Sequence, residues 1–190
     1  MDQNQTARTP HAPIISTVCD FFEILLFSVL FVILIFTFAF RLSIVSGTSM
    51  NHTLNSGDRV ITSNLFYEPE AGEIIVFHQT GDVFNELMIK RIIATEGQYV
   101  LLDWDAVYVS DDKVIDESDR VDESGYAYIA GGTMNMYPNS IGKVFQVPEG
   151  HVFVMGDNRN NSSDSRHAAI GFVDERRILG KVVLHLPISK

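Results

Sequence analysis

Three segments of the 190-residue chain combine residue types that could do chemistry together. The first, 47–58, is a turn-rich stretch that contains Ser49. The second, 88–93, places Lys90 in an apolar β-like run, where loss of water would lower the pKa of its amine and make it a candidate base. The third, 154–166, is dense in Gly, Asp, Asn and Arg. Each has an ordinary structural explanation, as a loop serine, an edge-strand lysine or a structural loop, and only their joint presence suggests a site.

Two details of these segments stay open at the level of sequence. Side chains alternate between the faces of a strand, so either Lys90 or Arg91 points toward the interior. The third segment could be held by side-chain bonds to its own backbone. It could also be closed by an ion pair, either Asp164 with Arg166 or Asp157 with Arg159. We expect this loop to support the site.

Composition excludes one class of partner. The chain has 24 acidic and 14 basic residues, which gives a formal charge of -10. Nucleic acids are bound through basic patches, so nucleic-acid binding is not expected. Cys19 is the only cysteine and cannot form an intrachain disulfide, which leaves the cellular compartment undetermined.

A long apolar segment precedes the candidate serine. Residues 24–40 carry no charge, and adding residues 21–23 gives 20 residues, or about 30 Å of helix. Asp20 and Glu23 suit the start of a helix, and Arg41 closes the other end. We predict a disordered polar tail over 1–19 and a transmembrane helix over 20–41.

A cleaved signal peptide is the alternative for this segment, because 37–39 (Thr-Phe-Ala) has the small residues of a cleavage site. The apolar run is longer than a signal-peptide core, and its N-terminal flank is acidic, which favours a retained helix. Arg8 and Arg41 stand on opposite sides, so the positive-inside rule does not determine the orientation.

The remainder of the chain, 42–190, has the pattern of an antiparallel β domain. Seven short runs are rich in β-branched and aromatic residues: 59–62, 73–77, 99–102, 106–109, 143–147, 151–155 and 181–185. Turn residues separate them, and no helical periodicity of comparable strength follows residue 41. The predicted fold class is therefore mainly β, a folded sheet or barrel of short strands after one apolar helix.

An exposed acidic hairpin or loop region is predicted around 103–142. Residues 103–123 carry nine carboxylates. Their spacing does not match a calcium-binding loop, which favours a solvated hairpin over a metal site.

Together the three segments and the apolar helix resemble the type I signal peptidases, membrane-bound Ser-Lys endopeptidases that remove signal peptides from exported proteins. The matching residues, in family order, are Ser49-Met50 with Thr53-Leu54 and Gly57-Asp58; Gly72 to Phe77; Lys90 to Ile93; and Gly156 to Arg159 with Ser162, Asp164, Ser165 and Arg166. The resemblance covers most of the chain except the tail and residues 103–142. The last group of residues is the most specific.

Differences at four places in the chain bear on how far the resemblance carries over. His52 stands where the family usually has Pro, Glu73 where it has Asp, and 96–98 (Glu-Gly-Gln) where it has Pro-Gly-Asp. Gly47 occupies the position at which some members have a serine that donates to the oxyanion hole. Gly47 cannot supply that side-chain donor.

The resemblance implies a role for each matching residue. Ser49 would be the nucleophile and its backbone N–H an oxyanion donor, and Lys90 would be the general base. Ser162 would orient the lysine amine. Asp164 and Arg166 would fix the loop as an ion pair, with Asp157 as a further supporting residue.

The resemblance also implies the biological setting. The substrates would be exported precursor proteins with small residues, typically Ala, at the first and third positions before the cut, and no cofactor or metal is expected. The other partners would be membrane lipid and the protein export machinery. Since eukaryotic-type members use a histidine as base, Lys90 points to the bacterial plasma membrane, with the peptidase domain on its extracytoplasmic face.

Two other functions remain open from the sequence. One is a self-cleaving Ser-Lys peptidase related to the self-cleaving Ser-Lys repressors. Those repressors carry a DNA-binding module where this chain has an apolar helix. The other is a non-catalytic membrane-tethered assembly protein of the same fold, which the presence of both Ser49 and Lys90 disfavours.

Overall fold

The computed structural model describes residues 12–135 and 140–188, and its chain divides into two compact units, 1–39 and 40–190. The first unit contains one α-helix, α1, Ala12–Ala39. Within it, Ser16–Thr37 is long and apolar enough to cross a membrane, since 22 residues span roughly 33 Å.

Both ends of α1 differ from the predicted boundaries. Residues 12–19 are helical, although the sequence predicted a disordered tail there; the rest of that tail lies outside the described residues. Pro13 is tolerated in the first turn of a helix, and no Gly or Pro follows it before residue 39. Arg41, predicted to end the helix, lies in the first strand instead.

The second unit is mainly β, as predicted, with no further α-helix among its described residues. The strands found in its described residues are β1 Phe40–Ile44, β2 Arg59–Ser63, β3 Ile74–Gln79, β4 Glu86–Ala94, β5 Tyr99–Leu102, β6 Val107–Ser110, β7 Val144–Gln146, β8 His151–Met155, β9 Val173–Asp174 and β10 Ile178–Leu186. They form an antiparallel seven-stranded sheet in the order β1-β2-β10-β3-β4-β8-β9 and an antiparallel three-stranded sheet in the order β6-β5-β7.

The core lies on both faces of β8, which explains the continuous apolar run of that strand. Val152 and Val154 pack in one cluster with β3 and β4, while Phe153 and Met155 pack in a second cluster with β5 and β6. Successive side chains of a strand point to opposite faces, so β8 joins the two clusters. The loop that follows β8, and that carries the third candidate segment, therefore starts from a rigid position.

The acidic region is more folded than a solvated hairpin. It contains β6 and two short 3-10 helices, Glu117–Asp119 and Ala130–Gly132, and part of it packs against the site described below. Among the described residues, no group of three or more His, Cys, Asp or Glu side chains is arranged to hold a metal ion.

Candidate active site

Ser49 is held in a short loop between β1 and β2 by the apolar residues around it. Met50 and Leu54 are buried with Val45 and Val60 in a small separate cluster. The loop turns at Gly47, whose φ of +88° belongs to the left-handed region that favours glycine. The sequence therefore buries the residue after Ser49 and leaves Ser49 itself half-buried.

Lys90 lies beside Ser49, which brings the first two candidate segments together. Its Nζ is 2.8 Å from Ser49 Oγ and donates a hydrogen bond to the Ile89 carbonyl oxygen at 3.0 Å. β4 positions the lysine between β3 and β8 in the sheet, and only 5% of Lys90 is exposed. Burial lowers the pKa of Lys90, and the negative charges of Asp164 and Glu86 oppose this only in part. A neutral amine at this distance can accept the proton of the serine hydroxyl.

The loop after β8 is closed by the buried ion pair of Asp164 and Arg166. Arg166 donates to both carboxylate oxygens at 2.8 Å, and both side chains are fully buried. Gly156 N–H donates to the same carboxylate at 3.0 Å. Burial alone would raise the pKa of Asp164, but Arg166 and these hydrogen bonds outweigh it and hold the pKa below its ordinary value. This is the first of the two pairs that the sequence left open.

Asp157 and Arg159 do not pair with each other. Asp157 accepts two hydrogen bonds from Arg91, at 2.8 and 2.7 Å, and a third from Thr53 at 2.6 Å. Arg91 follows Lys90 on β4, and Thr53 lies four residues after Ser49 in its loop. Asp157 therefore connects the strand of Lys90 to the loop of Ser49. It is a buried carboxylate whose bonds link the segments that carry Ser49 and Lys90.

Gly156 is the point of closest contact between the loops. A Cβ built on Gly156 would lie 2.2 Å from Ser162 Oγ and 2.5 Å from the Ser49 carbonyl oxygen. Only glycine fits in this space. Ser162 is buried, and its hydroxyl contributes to holding the pKa of Asp164 down. The structure thus places Ser162 next to the backbone of Ser49.

Two asparagines of the third segment hold the backbone around Ser49. Asn158 N–H donates to the Ser49 carbonyl oxygen at 2.9 Å, and its side-chain amide donates to the Thr48 carbonyl oxygen at 3.0 Å. The Asn161 amide donates to Thr48 Oγ1 at 2.5 Å. The sequence shows that the segment is rich in Asn. It did not predict that these amides bind the loop that contains Ser49.

The acidic region contributes Glu123 to the same structure. Its carboxylate accepts from both terminal nitrogens of Arg159, one of them at 2.7 Å, and Arg159 is fully buried. The guanidinium carbons of Arg91 and Arg159 lie 4.2 and 5.9 Å from the centroid of the Tyr126 ring. Burial raises the pKa of Tyr126 to about 12. The Glu123 side chain is only 9% exposed and supports Arg159, although the sequence predicted a solvated segment.

The residues that depart from the family pattern each take part in local structure. His52 has a φ of +80°, which proline cannot adopt, and its ring lies 4.4 Å from that of Tyr128. Glu73 accepts a hydrogen bond from Lys181 at 2.7 Å. In the turn at 96–98, Gln98 accepts from Thr95 N–H at 3.0 Å and closes the turn with its side chain.

An open cleft of about 520 Å³ is lined in part by Ser49 and Lys90. Its lining includes residues 42–50, from β1 and the loop that follows it, and residues 86–90 of β4. Apolar and polar side chains contribute to the lining in similar numbers. An extended peptide could add to a strand edge here.

Comparison with known proteins identifies the family. The family model "Signal peptidase, peptidase S26" matches residues 18–186. The chain is 33% identical over 184 residues to the probable signal peptidase I-2 of Synechocystis sp., with 93% of this chain and 77% of that protein covered. It is 32% identical over 168 residues to signal peptidase I of Bacillus licheniformis, with 85% of this chain and 84% of that protein covered. A crystal structure of a signal peptidase I from Enterococcus faecalis matches with 24% identity and a TM-score of 0.44, covering 62% of this chain and 98% of the other. The chain therefore belongs to the signal peptidase family, peptidase S26.

Proposed function

We propose that this serine peptidase is anchored in the membrane by α1 and removes N-terminal signal peptides from exported precursor proteins. It cuts after small residues by acyl transfer to Ser49, with Lys90 as general base. The observation that carries the proposal is the 2.8 Å contact between Ser49 Oγ and Nζ of the buried Lys90. Family membership supplies the substrate class.

The geometry supports a two-step reaction. Ser49 Oγ attacks the carbonyl carbon of the scissile peptide bond while its proton passes to Lys90 Nζ. Lys90 then gives that proton to the leaving amine, and an ester remains on Ser49. Water, activated by the neutral Lys90, hydrolyses the ester and releases the signal peptide.

The developing oxyanion needs hydrogen-bond donors. We assign the Ser49 backbone N–H to this role, because Gly47 supplies no side-chain donor and the Ser49 backbone is fixed by Asn158. One such donor is worth about 3 kcal/mol in the transition state. Ser162, beside the Ser49 backbone, is assigned to orienting the lysine amine.

The remaining parts of the proposal concern location and partners. The catalytic domain is assigned to the extracytoplasmic face of the plasma membrane, with lipid around α1 and the export machinery as a further partner. Protease treatment of intact cells tests this orientation, because a domain on the cytoplasmic side would be protected.

Cleavage of a defined precursor tests the function itself. Detergent-solubilised full-length chain should convert a precursor with an Ala-x-Ala site to its mature form. Replacing the Ala before the cut by Phe should lower kcat/KM by about 100-fold, because the larger side chain does not fit a pocket shaped for a methyl group. Equal cleavage of the two precursors would contradict the specificity, and no cleavage of either would contradict the function.

The pH dependence of cleavage tests the role of Lys90. Because the neutral amine is the active form, kcat/KM should rise with pH until Lys90 is deprotonated and fall as pH drops through its pKa. Burial lowers that pKa from its ordinary value of 10.5, so the limb should have its midpoint below 10.5. The profile should be measured with a peptide that has no ionisable groups near the cut. A value of kcat/KM that shows no such rise at any pH below 10.5 would exclude Lys90 as the base.

A further inference from the structure

The cleft contains one ionisable side chain that the reaction does not use. Among the residues that line it, the ionisable side chains are those of Lys90 and Glu86. Lys90 is buried with a lowered pKa, and Glu86 is exposed. When Lys90 is neutral, as the reaction requires, the cleft carries the single negative charge of Glu86.

The position of Glu86 relates it to the substrate. Glu86, Met88 and Lys90 are alternate residues of β4 and therefore share one face of the strand. Four residues of strand span about 13 Å, the length of about four residues of an extended peptide. A peptide lying along β4 with its scissile bond at Ser49 thus places its fourth or fifth residue beside Glu86.

The charge of Glu86 is available to a ligand. Within 12–135 and 140–188, no basic side chain lies at ion-pair distance from its carboxylate, whereas Asp157, Asp164 and Glu123 are each bound by an arginine. In the sheet, Glu86 lies opposite Gln79, a neutral residue.

We propose that Glu86 selects precursors by charge, favouring Lys or Arg and disfavouring Asp or Glu at the fourth or fifth residue before the cleaved bond. The inference rests on the proposed function and adds a specificity determinant to it. We place Glu86 beside the part of the substrate before the cleaved bond because Leu87, Met88 and Ile89 lie between Glu86 and Lys90. These apolar side chains suit the small residues expected just before the cut.

The expected effect is modest because Glu86 is exposed to water. A single solvent-exposed ion pair changes an equilibrium or rate by about two- to fivefold. Exchanging an attractive partner for a repulsive one should therefore change kcat/KM by about tenfold. At about 1 M salt the Debye length falls to roughly 3 Å, so the effect should then largely disappear.

Three synthetic peptides of common sequence test the proposal. They share an Ala-x-Ala site and carry Lys, Ala or Glu at the fourth residue before the cut, and a second set varies the fifth residue. The measured quantity is the ratio of kcat/KM for the Lys peptide to that for the Glu peptide. This ratio cancels any effect of a Glu86 variant on Lys90, which acts on all peptides alike.

The wild-type ratio should be about ten in at least one set. Glu86→Gln should bring it close to one, Glu86→Lys should invert it, and the control Glu149→Gln, an exposed carboxylate outside the cleft, should leave it unchanged. A wild-type ratio of one in both sets, or a ratio unchanged in Glu86→Gln, overturns the inference and leaves the proposed function intact. Failure to cut the Ala peptide overturns both.

Discussion

Replacement of Lys90 by methionine is expected to lower kcat for precursor cleavage by about 10⁴-fold. Methionine keeps the unbranched apolar chain of lysine but removes the amine that lies 2.8 Å from Ser49 Oγ. Without that base the serine hydroxyl keeps its proton at neutral pH and is a weak nucleophile. The change should be measured in a single-turnover assay with a saturating precursor.

Two controls separate the loss of the base from loss of structure. The melting temperature of Lys90→Met should equal or exceed that of the wild type, because a buried amine no longer has to be desolvated. Lys143→Met, which alters an exposed lysine, should cleave at the wild-type rate.

A double variant adds a test of joint action. Combining Lys90→Met with Ser49→Ala should cost little more than either change alone, since the two residues act as a unit. A Lys90→Met protein that retains more than a tenth of the wild-type rate would show that Lys90 is not the base.

Gly156→Ala is expected to lower kcat by at least about 100-fold although Gly156 takes no part in the chemistry. The new methyl group would lie 2.2 Å from Ser162 Oγ and 2.5 Å from the Ser49 carbonyl oxygen, so the two loops must separate. A displacement of about 1 Å at the nucleophile is enough to cost about 100-fold in rate. Overpacking of this kind should also lower the free energy of unfolding by about 1–3 kcal/mol.

The chain contains a matched control for this change. Gly125 has no heavy atom within 4 Å of a built Cβ and no left-handed φ, so Gly125→Ala should retain the wild-type rate and melting temperature. Both rate and thermal unfolding should be measured for both variants. If Gly156→Ala is as active as Gly125→Ala, close contact between the loops is not required for catalysis.

Local patterns in the sequence were sufficient to predict most of the β fold. The run at 151–155 predicted β8 from its apolar residues alone, and the run at 99–102 predicted β5, because strands buried in a core need little else to identify them. The sequence did not predict β1, because Phe40 and Arg41 directly follow the apolar run and were assigned to the helix. They form a strand because they pair with β2.

The supporting residues of the site depend on contacts distant in sequence. The bond from Arg91 to Asp157 joins residues 66 positions apart, and the bond from Arg159 to Glu123 joins residues 36 apart. Arg159 is the basic residue nearest to Asp157 in the sequence. An Asp157–Arg159 ion pair was therefore as plausible for the loop as the Asp164–Arg166 pair. Glu123 could not be distinguished from its exposed acidic neighbours, because its burial results from the fold around Arg159.

The short Asp164–Arg166 pair shows the opposite case. The two residues are separated by one position, and their pairing was among the alternatives given by the sequence. What the sequence could not predict is that the pair is fully buried and also accepts the Gly156 N–H. Replacing one partner of such a pair leaves an unpaired buried charge, so the pair fixes the loop.

Trapping the acyl-enzyme tests the central claim most directly. Wild-type protein and an Ala-x-Ala precursor should be mixed, quenched in acid during the first turnover, digested with trypsin and analysed by mass spectrometry. The peptide of residues 42–59, which contains Ser49, should then carry the mass of the signal-peptide fragment less one water, and Ser49→Ala protein should show no such adduct. Cleavage at the wild-type rate by Ser49→Ala, or an adduct on a different peptide, would contradict the account.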